Sequence, residues 1–412
     1  MTFKVKTKGQ NEGEKLLVPK LRFKEFKNEW NEITLKKLLS FKNGINGDKD
    51  SYGYGIKYIS VGDILNNTYI TYDKIKGLID INDKTLKENS VEYGDMVFQR
   101  SSETFNDIGQ ANVYLDKKQI ATFGGFVIRG KKIGNYNPLF FNYLLKSPCN
   151  RKKVIVKGAG AQHYNISQEE LKKIKVNFTV EKEQVKIANL FYSLDKKIEL
   201  QQRKIEALKI YKTGVCQKLF QSIKDDKTTF KMQISKFLKE RKIYSEKGLE
   251  YPHVTLSKDG ILDKSDRYNR DFLVMSNNKE YKITLLNDLC YNPANLKFGV
   301  ICINEYGSAI FSPIYVTLEI NPNIMDVSFC KYYFTRIDFI NKVRKYEQGT
   351  VYERMSVNVE DFLKHTDVFP CLENQRKIAK ILSNLDRKIN LQKNTLNNLN
   401  ILKKSLLQQM FI

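Results

Sequence analysis

Five short stretches of this 412-residue chain concentrate side chains suited to hydrogen-bonding another molecule. Gln99, Arg100, Ser101 and Ser102 follow an apolar run in "MVFQRSS", and Lys157, Gln162, His163, Tyr164 and Asn165 sit among glycines in "KGAGAQHYN". Farther on come Arg267 and Arg270 in "SDRYNR", Asn292, Asn295 and Lys297 in "YNPANLK", and Tyr352 and Arg354 in "GTVYER". Arginine matches the edge of guanine, and asparagine or glutamine that of adenine, whereas Lys, Arg, Ser, Thr and Tyr suit phosphates. The chemistry these residues offer is recognition of a polyanion. Some of these residues also have a plainer reading. Arg100 closes a salt bridge within the fold, His163 is an ordinary surface histidine, and Glu353 orients a neighbouring arginine instead of accepting from a cytosine amino group.

Bond-making chemistry lacks its usual sequence marks. There is no GxxxxGK[ST] phosphate loop, no glycine-rich strand-to-helix turn for a nucleotide or methyl donor, and no Asp/Asn-Pro-Pro-aromatic motif; "YNPAN" lacks the second proline. "EYK" at Glu280–Lys282 resembles half of a nuclease metal motif without its upstream Pro-Asp. His163, His253 and His365 have no metal-ligand spacing, and six cysteines are scattered with no CxxC pair, so reduced thiols and a cytoplasmic setting are expected. The charged N-terminus has no apolar core of a signal peptide, and no run approaches the ~18–20 apolar residues of a membrane helix. The excess of 70 Lys+Arg over 46 Asp+Glu gives +24, spread along the chain. Such a charge fits a nucleic-acid partner, or a lysine-rich composition of no special function.

The elements that must position these residues are written twice. Shifting the chain by 191 residues aligns Gly158–Phe220 with Gly349–Phe411 without a gap, and 181–220 against 372–411 shares 15 identities in 40 positions. Both copies carry a heptad seam. In the first it runs Ile187, Phe191, Leu194, Ile198, Gln201, Ile205, Leu208, Lys212, Val215, Leu219; in the second, Ile378, Leu382, Leu385, Ile389, Gln392, Leu396, Leu399, Lys403, Leu406, Met410. A narrow apolar stripe needs a partner, and each copy supplies one for the other. Gln201 and Gln392 sit near the midpoints, where an antiparallel pairing would set them face to face and fix register. Alternatively, each helix packs on its own domain with its Gln at the seam's edge.

Ahead of each helix lies a mixed stretch. Strand-like runs "IKYISV", "GDMVF" and "FGGFVIRG" precede a helical "PLFFNYLLKS"; later "YKITLLNDLCY", "FGVICI" and "IFSPIYVTL" precede "SFCKYYFTR". The fold class expected is α+β: two mixed domains, each followed by a long helix, with the helices forming an antiparallel coiled coil. The boundaries expected are an N-terminal extension at 1–20, domains at 21–178 and 230–369, helices at 179–221 and 370–412, and a linker at 222–229.

Two variable units, each followed by one copy of a helix, resemble the specificity subunit of type I DNA restriction–modification systems. The phrases "VPKLRFKEFKNEW", "GDMVFQRSSETFNDIG", "KGAGAQHYNIS" and "GTVYERMSV", together with the doubled "KIA…LD.KI.L" helix, carry the resemblance over nearly the whole chain past Val18. It implies that each domain reads half of an interrupted double-stranded DNA site. It also implies two methyltransferase subunits docked on the chain and, optionally, restriction–translocase subunits. S-adenosylmethionine and ATP would belong to those partners, with no cofactor on this chain and no catalysis by it. A seam from 187 to 219 is a rod of ~50 Å, longer than the ~34–36 Å of one duplex turn, so it would set an unread spacer. One rival is a single-chain methyltransferase or nuclease with its own recognition units, against which the missing catalytic motifs stand. The other is a coiled-coil adaptor or scaffold with nonspecific nucleic-acid affinity. A pure adaptor would not need the +14 left on the rest of the chain after the +4 of 181–220 and the +6 of 372–411.

Overall fold

The computed structural model describes residues 3–5, 17–160, 162–223, 227–246, 250–264, 280–348 and 356–412. Two long helices, Glu181–Ser222 and Leu372–Gln409, stand where the repeat predicts them. Neither contains proline, and each opens with glutamate in its first turn (Glu181 and Glu183; Glu373), where negative charge meets the positive end of the helix dipole. Every seam residue named above is buried or half-buried. The heptad stripe is therefore the covered face of each helix.

The chain divides into two compact units, Met1–Arg203 with Lys393–Ile412, and Lys204–Gln392. Each unit thus holds the start of one long helix and the end of the other. In the first, Phe191 stacks on Phe411 with ring centroids 5.8 Å apart, and Asp195 pairs with Lys403. In the second, Phe220 shares a core with Ile378 and Leu382, and Lys212 pairs with Asp386. Numbers rise along one helix as they fall along the other, so the pairing inside each unit is antiparallel.

The globular parts repeat one plan under faint sequence likeness. In the first unit a four-stranded antiparallel sheet runs in the order Leu39–Asn43, Val127–Lys132, Met96–Gln99, Ala111–Val113. The second has Leu238–Glu240, Val316–Ile320, Leu289–Tyr291, Ile301–Ile303 in the corresponding order. An antiparallel pair closes each domain just before its long helix: Asn31–Thr34 with Lys175–Phe178, then Phe230–Gln233 with Thr366–Phe369. Short helices Pro138–Lys146 and Val327–Phe334 lay Phe140 and Phe141, or Phe329 and Tyr333, into the two main cores. Burying each such ring contributes roughly 1.5–3 kcal/mol.

Three runs expected as single strands are broken. "FGGFVIRG" divides into Thr122–Phe123 and Val127–Lys132, because Val127 N–H turns back onto the Gly124 carbonyl at 2.8 Å. "YKITLLNDLCY" divides at Asn287, whose φ of 73° lies in the left-handed region. "IFSPIYVTL" divides at Pro313, which cannot donate to a ladder.

Candidate nucleic-acid interface

In the first unit two of the polar stretches meet. Ser101–Ser102 pairs antiparallel with Tyr164–Asn165, placing Ser101 opposite Asn165 across 64 residues of sequence. The Ser101 hydroxyl donates to the Asn165 carboxamide oxygen, and Ile166 N–H donates to the Arg100 carbonyl at 3.0 Å. The close return of the chain requires Gly160. Its φ is +139°, and a Cβ there would lie 2.0 Å from the His163 carbonyl oxygen.

Within this junction the predicted residues take different positions. Gln162, His163 and Asn165 are exposed, while Arg100, Ser101, Tyr164 and Lys157 are half-buried. Arg100 Nη1 donates to the Gly125 carbonyl at 3.3 Å, and Lys157 pairs with Glu170 at 3.2 Å. Gln99 and Ser102 turn inward. Gln99 Nε2 donates to the Ser101 carbonyl at 2.9 Å, and the Ser102 hydroxyl accepts from Thr104 N–H at 3.1 Å. These two brace the junction from beneath.

Three residues that sequence reasoning missed complete it. Phe126 is 68% exposed, and its carbonyl accepts the Arg100 N–H at 2.8 Å. Phe105, also exposed, meets Tyr164 edge-on at 5.3 Å. Arg151 donates to the carbonyls of Asn106, Ile108 and Gly109 at 2.8–3.0 Å, clamping the turn that carries Phe105. Burial pushes its guanidinium down to about 10, still charged at neutral pH. The available signal was "FGGF": an aromatic directly after two glycines is poised at a turn's tip. An exposed aromatic beside guanidinium and amide groups offers stacking to a base as well as hydrogen bonds.

In the second unit Asn292 is buried and caps the turn Pro293–Phe298, its Oδ1 accepting from Ala294 and Asn295 N–H at 3.1 and 3.3 Å. Asn295 lines a cavity of about 650 Å³ together with Lys258, Lys264, Phe298 and Tyr315. Lys297 is exposed, with its ammonium 5.3 Å from the Phe298 ring centroid. Arg267, Arg270, Tyr352, Glu353 and Arg354 lie outside the described residues. Gln348 and Ser356, which flank the last three, form an antiparallel bridge, as Ala159 and Asn165 do in the first unit. Gln201 and Gln392 are both half-buried on their helices. Among the described residues no group of three or more His, Cys, Asp or Glu side chains is placed to hold a metal, and no helix is long and apolar enough to cross a membrane.

The family model described as the type I restriction modification DNA specificity domain matches residues 27–210 and 263–400. The sequence is 24% identical, over 401 residues covering 90% of this chain and 89% of the relative, to the protein named as the MjaX type I restriction enzyme specificity subunit of Methanocaldococcus jannaschii. Among solved structures, the fold is similar to the type I restriction–modification S subunit from M. genitalium, with a TM-score of 0.56 and 17% identity over 96% of this chain and 99% of that one. It is also similar to a chain from a study of complex assembly and conformational transition of the type I system, with a TM-score of 0.53 and 10% identity over 92% and 96% of the two chains.

Proposed function

Since the chain belongs to the type I restriction–modification DNA specificity family, we propose that it reads an interrupted double-stranded DNA site, one half-site per globular domain, without catalysing a reaction itself. The domains at 21–178 and 230–369 are the readers, and the helical segments hold the half-sites at a set spacing. Register is fixed by Gln201 and Gln392. Two methyltransferase subunits, and restriction–translocase subunits where present, dock on this chain, which brings the S-adenosylmethionine and ATP chemistry of those partners to the chosen site. A cytoplasmic location follows from that role.

One observation carries the reading. The two domains share their strand order, whereas their polar loops differ: Arg100, His163 and Phe126 in one, Asn295, Lys297 and Phe298 in the other. A common scaffold with divergent exposed donors is what two readers of different half-sites require. The direct test maps methylated adenines across the source genome with this gene intact and deleted. A two-part motif whose methylation vanishes on deletion supports the proposal. If purified chain with its partners also shows no salt-dependent preference for any duplex, the proposal is wrong.

A further inference from the structure

A cavity of about 360 Å³ lies in the first unit between the short helix Pro138–Lys146, the end of the helix Val61–Asn66 with the residues that follow it, and the end of the second long helix. Its polar wall consists of Asn66, Asn67, Thr68, Gln110, Tyr143, Lys146 and Lys403. Two ammonium groups therefore face one space. Lys403 is paired with Asp195 at 2.5 Å, and that carboxylate also accepts from the Tyr143 hydroxyl at 2.7 Å. Lys146 has no ion pair among the described residues. Its Nζ turns inward to the Thr68 carbonyl at 2.7 Å, a neutral acceptor that does not balance its charge.

The second unit shows that the scaffold does not need this lysine. There Tyr332 and Lys212 meet Asp386 as Tyr143 and Lys403 meet Asp195. Three residues beyond the tyrosine, where the first unit has Lys146, stands Thr335, whose hydroxyl donates to its own helix at Lys331. The extra cation is thus a local addition to a duplicated framework. An ammonium sequestered without a counter-charge is costly; burial, then the neighbouring Lys403, push the Lys146 amine down to about 7 against the pull of Asp195. An anion in the cavity would remove that cost.

We propose that this cavity binds a tetrahedral oxyanion of the phosphate class between the Lys146 and Lys403 ammonium groups, with the carboxamides of Asn66, Asn67 and Gln110 donating to its remaining oxygens. The donor set favours phosphate over carboxylate. Planar carboxylates are best met by the arginine fork, and among the described residues the wall has no arginine, whereas lysines act as point charges around a tetrahedral group. The volume accommodates a phosphate with part of an ester substituent, so either a small phosphate ester or a backbone phosphate supplies the same chemistry.

The test is calorimetry of the full chain with inorganic phosphate at pH 7, against chloride at matched ionic strength. Saturable binding is expected, weakened at least tenfold in Lys146→Met. Because that variant alters a half-buried position, Asn66→Leu on the exposed wall serves as a second probe and should weaken binding severalfold. A duplex that competes with phosphate identifies the backbone as the natural source, and one that binds alongside it identifies a separate small ligand. Equal responses to phosphate and chloride, or unchanged affinity in both variants, overturn the proposal. DNA binding measured in the same samples tells this outcome apart from failure of the reader function.

Discussion

The Asp195 carboxylate receives the Lys403 ammonium at 2.5 Å. The same pair recurs as Asp386 with Lys212 at 2.6 Å, and each aspartate also accepts a tyrosine hydroxyl, from Tyr143 at 2.7 Å and Tyr332 at 2.8 Å. The repeated "LD" thus joins three elements in each unit: the start of one long helix, the end of the other and a short helix of the domain. Both tyrosines are held well above their ordinary ionisation range, by burial first and by their aspartate second. Double-mutant cycles should therefore find coupling of about 0.5–3 kcal/mol between Asp195→Asn and Lys403→Met, and the same between Asp386→Asn and Lys212→Met. The cross pairs, Asp195 with Lys212 and Asp386 with Lys403, should be additive in urea unfolding. Coupling in the cross pairs would contradict the local assignment.

Arg22 and Glu183 form another costly pair. Arg22 Nε and Nη2 each donate to a different Glu183 oxygen at 2.7 Å, and Glu183 is wholly buried. Removing the guanidinium strands a carboxylate, so Arg22→Met should cost about 3–5 kcal/mol. Arg22→Lys should fall between, because an ammonium cannot reproduce the fork. The midpoint of chemical unfolding reads both.

Gly214 points the other way. It lies inside the first long helix, and a Cβ added there meets nothing within 4 Å. Gly214→Ala should stabilise the chain by about 0.5–1 kcal/mol through helix propensity. A loss of stability on urea unfolding would contradict this reading and mean that the added methyl group meets a neighbour.

The repeat was legible because residues that serve the same junction twice must keep their identity. Gln184 accepts from Asn137 N–H at 2.9 Å, and Gln375 from Asp326 N–H at 2.8 Å, each steadying the cap of a short helix. Phe411 packs on Trp30 and Phe140, and Phe220 on Phe329, so each helix ends in the core entered by the other's start. Lys212 and Lys403, which look like interruptions in the seam, are partners of the aspartates. The domains were less legible, since a sheet fixes strand order through long-range pairing that no local window contains. The polar loops were the hardest. Nothing within "FQRSS" marks Gln99 as inward and Arg100 as part of the junction, and Phe126 belongs to it only because a tight turn at Gly124 and Gly125 brings its carbonyl to Arg100.

That division of labour is testable. Arg100→Met should weaken DNA binding by about 1–3 kcal/mol if the guanidinium reads a base. If it holds a phosphate, affinity should fall uniformly across sequences and the salt slope should drop by about 1. Gln99→Leu, in the buried strand, should lower stability and leave the salt slope unchanged. Fluorescence anisotropy across a salt series separates these results. A Gln99 variant that changes the salt slope while Arg100→Met does not would reverse the two roles.

Lys146 gives the chain a signature in its pH dependence. Its folded amine, at about 7, titrates below the ~10.4 of an unfolded lysine. Between those values the unfolded chain binds more protons, so this group makes stability rise with pH. The penalty is fully present below about pH 7 and disappears as pH approaches 10. Lys146→Met removes it, and the charged groups facing the amine, Lys403, Asp195 and Lys74, remain in both proteins and cancel in the comparison. The shift of roughly three units caps the effect at about 4 kcal/mol. Because the half-buried side chain can swing outward, a gain of about 1–2 kcal/mol for the variant is expected at pH 7. Urea unfolding in phosphate-free buffer at pH 7 and pH 9.5 should show the variant's advantage shrinking at the higher pH. Adding phosphate at pH 7 should raise the stability of the parent chain and leave the variant nearly unchanged, since only the parent presents the uncompensated ammonium.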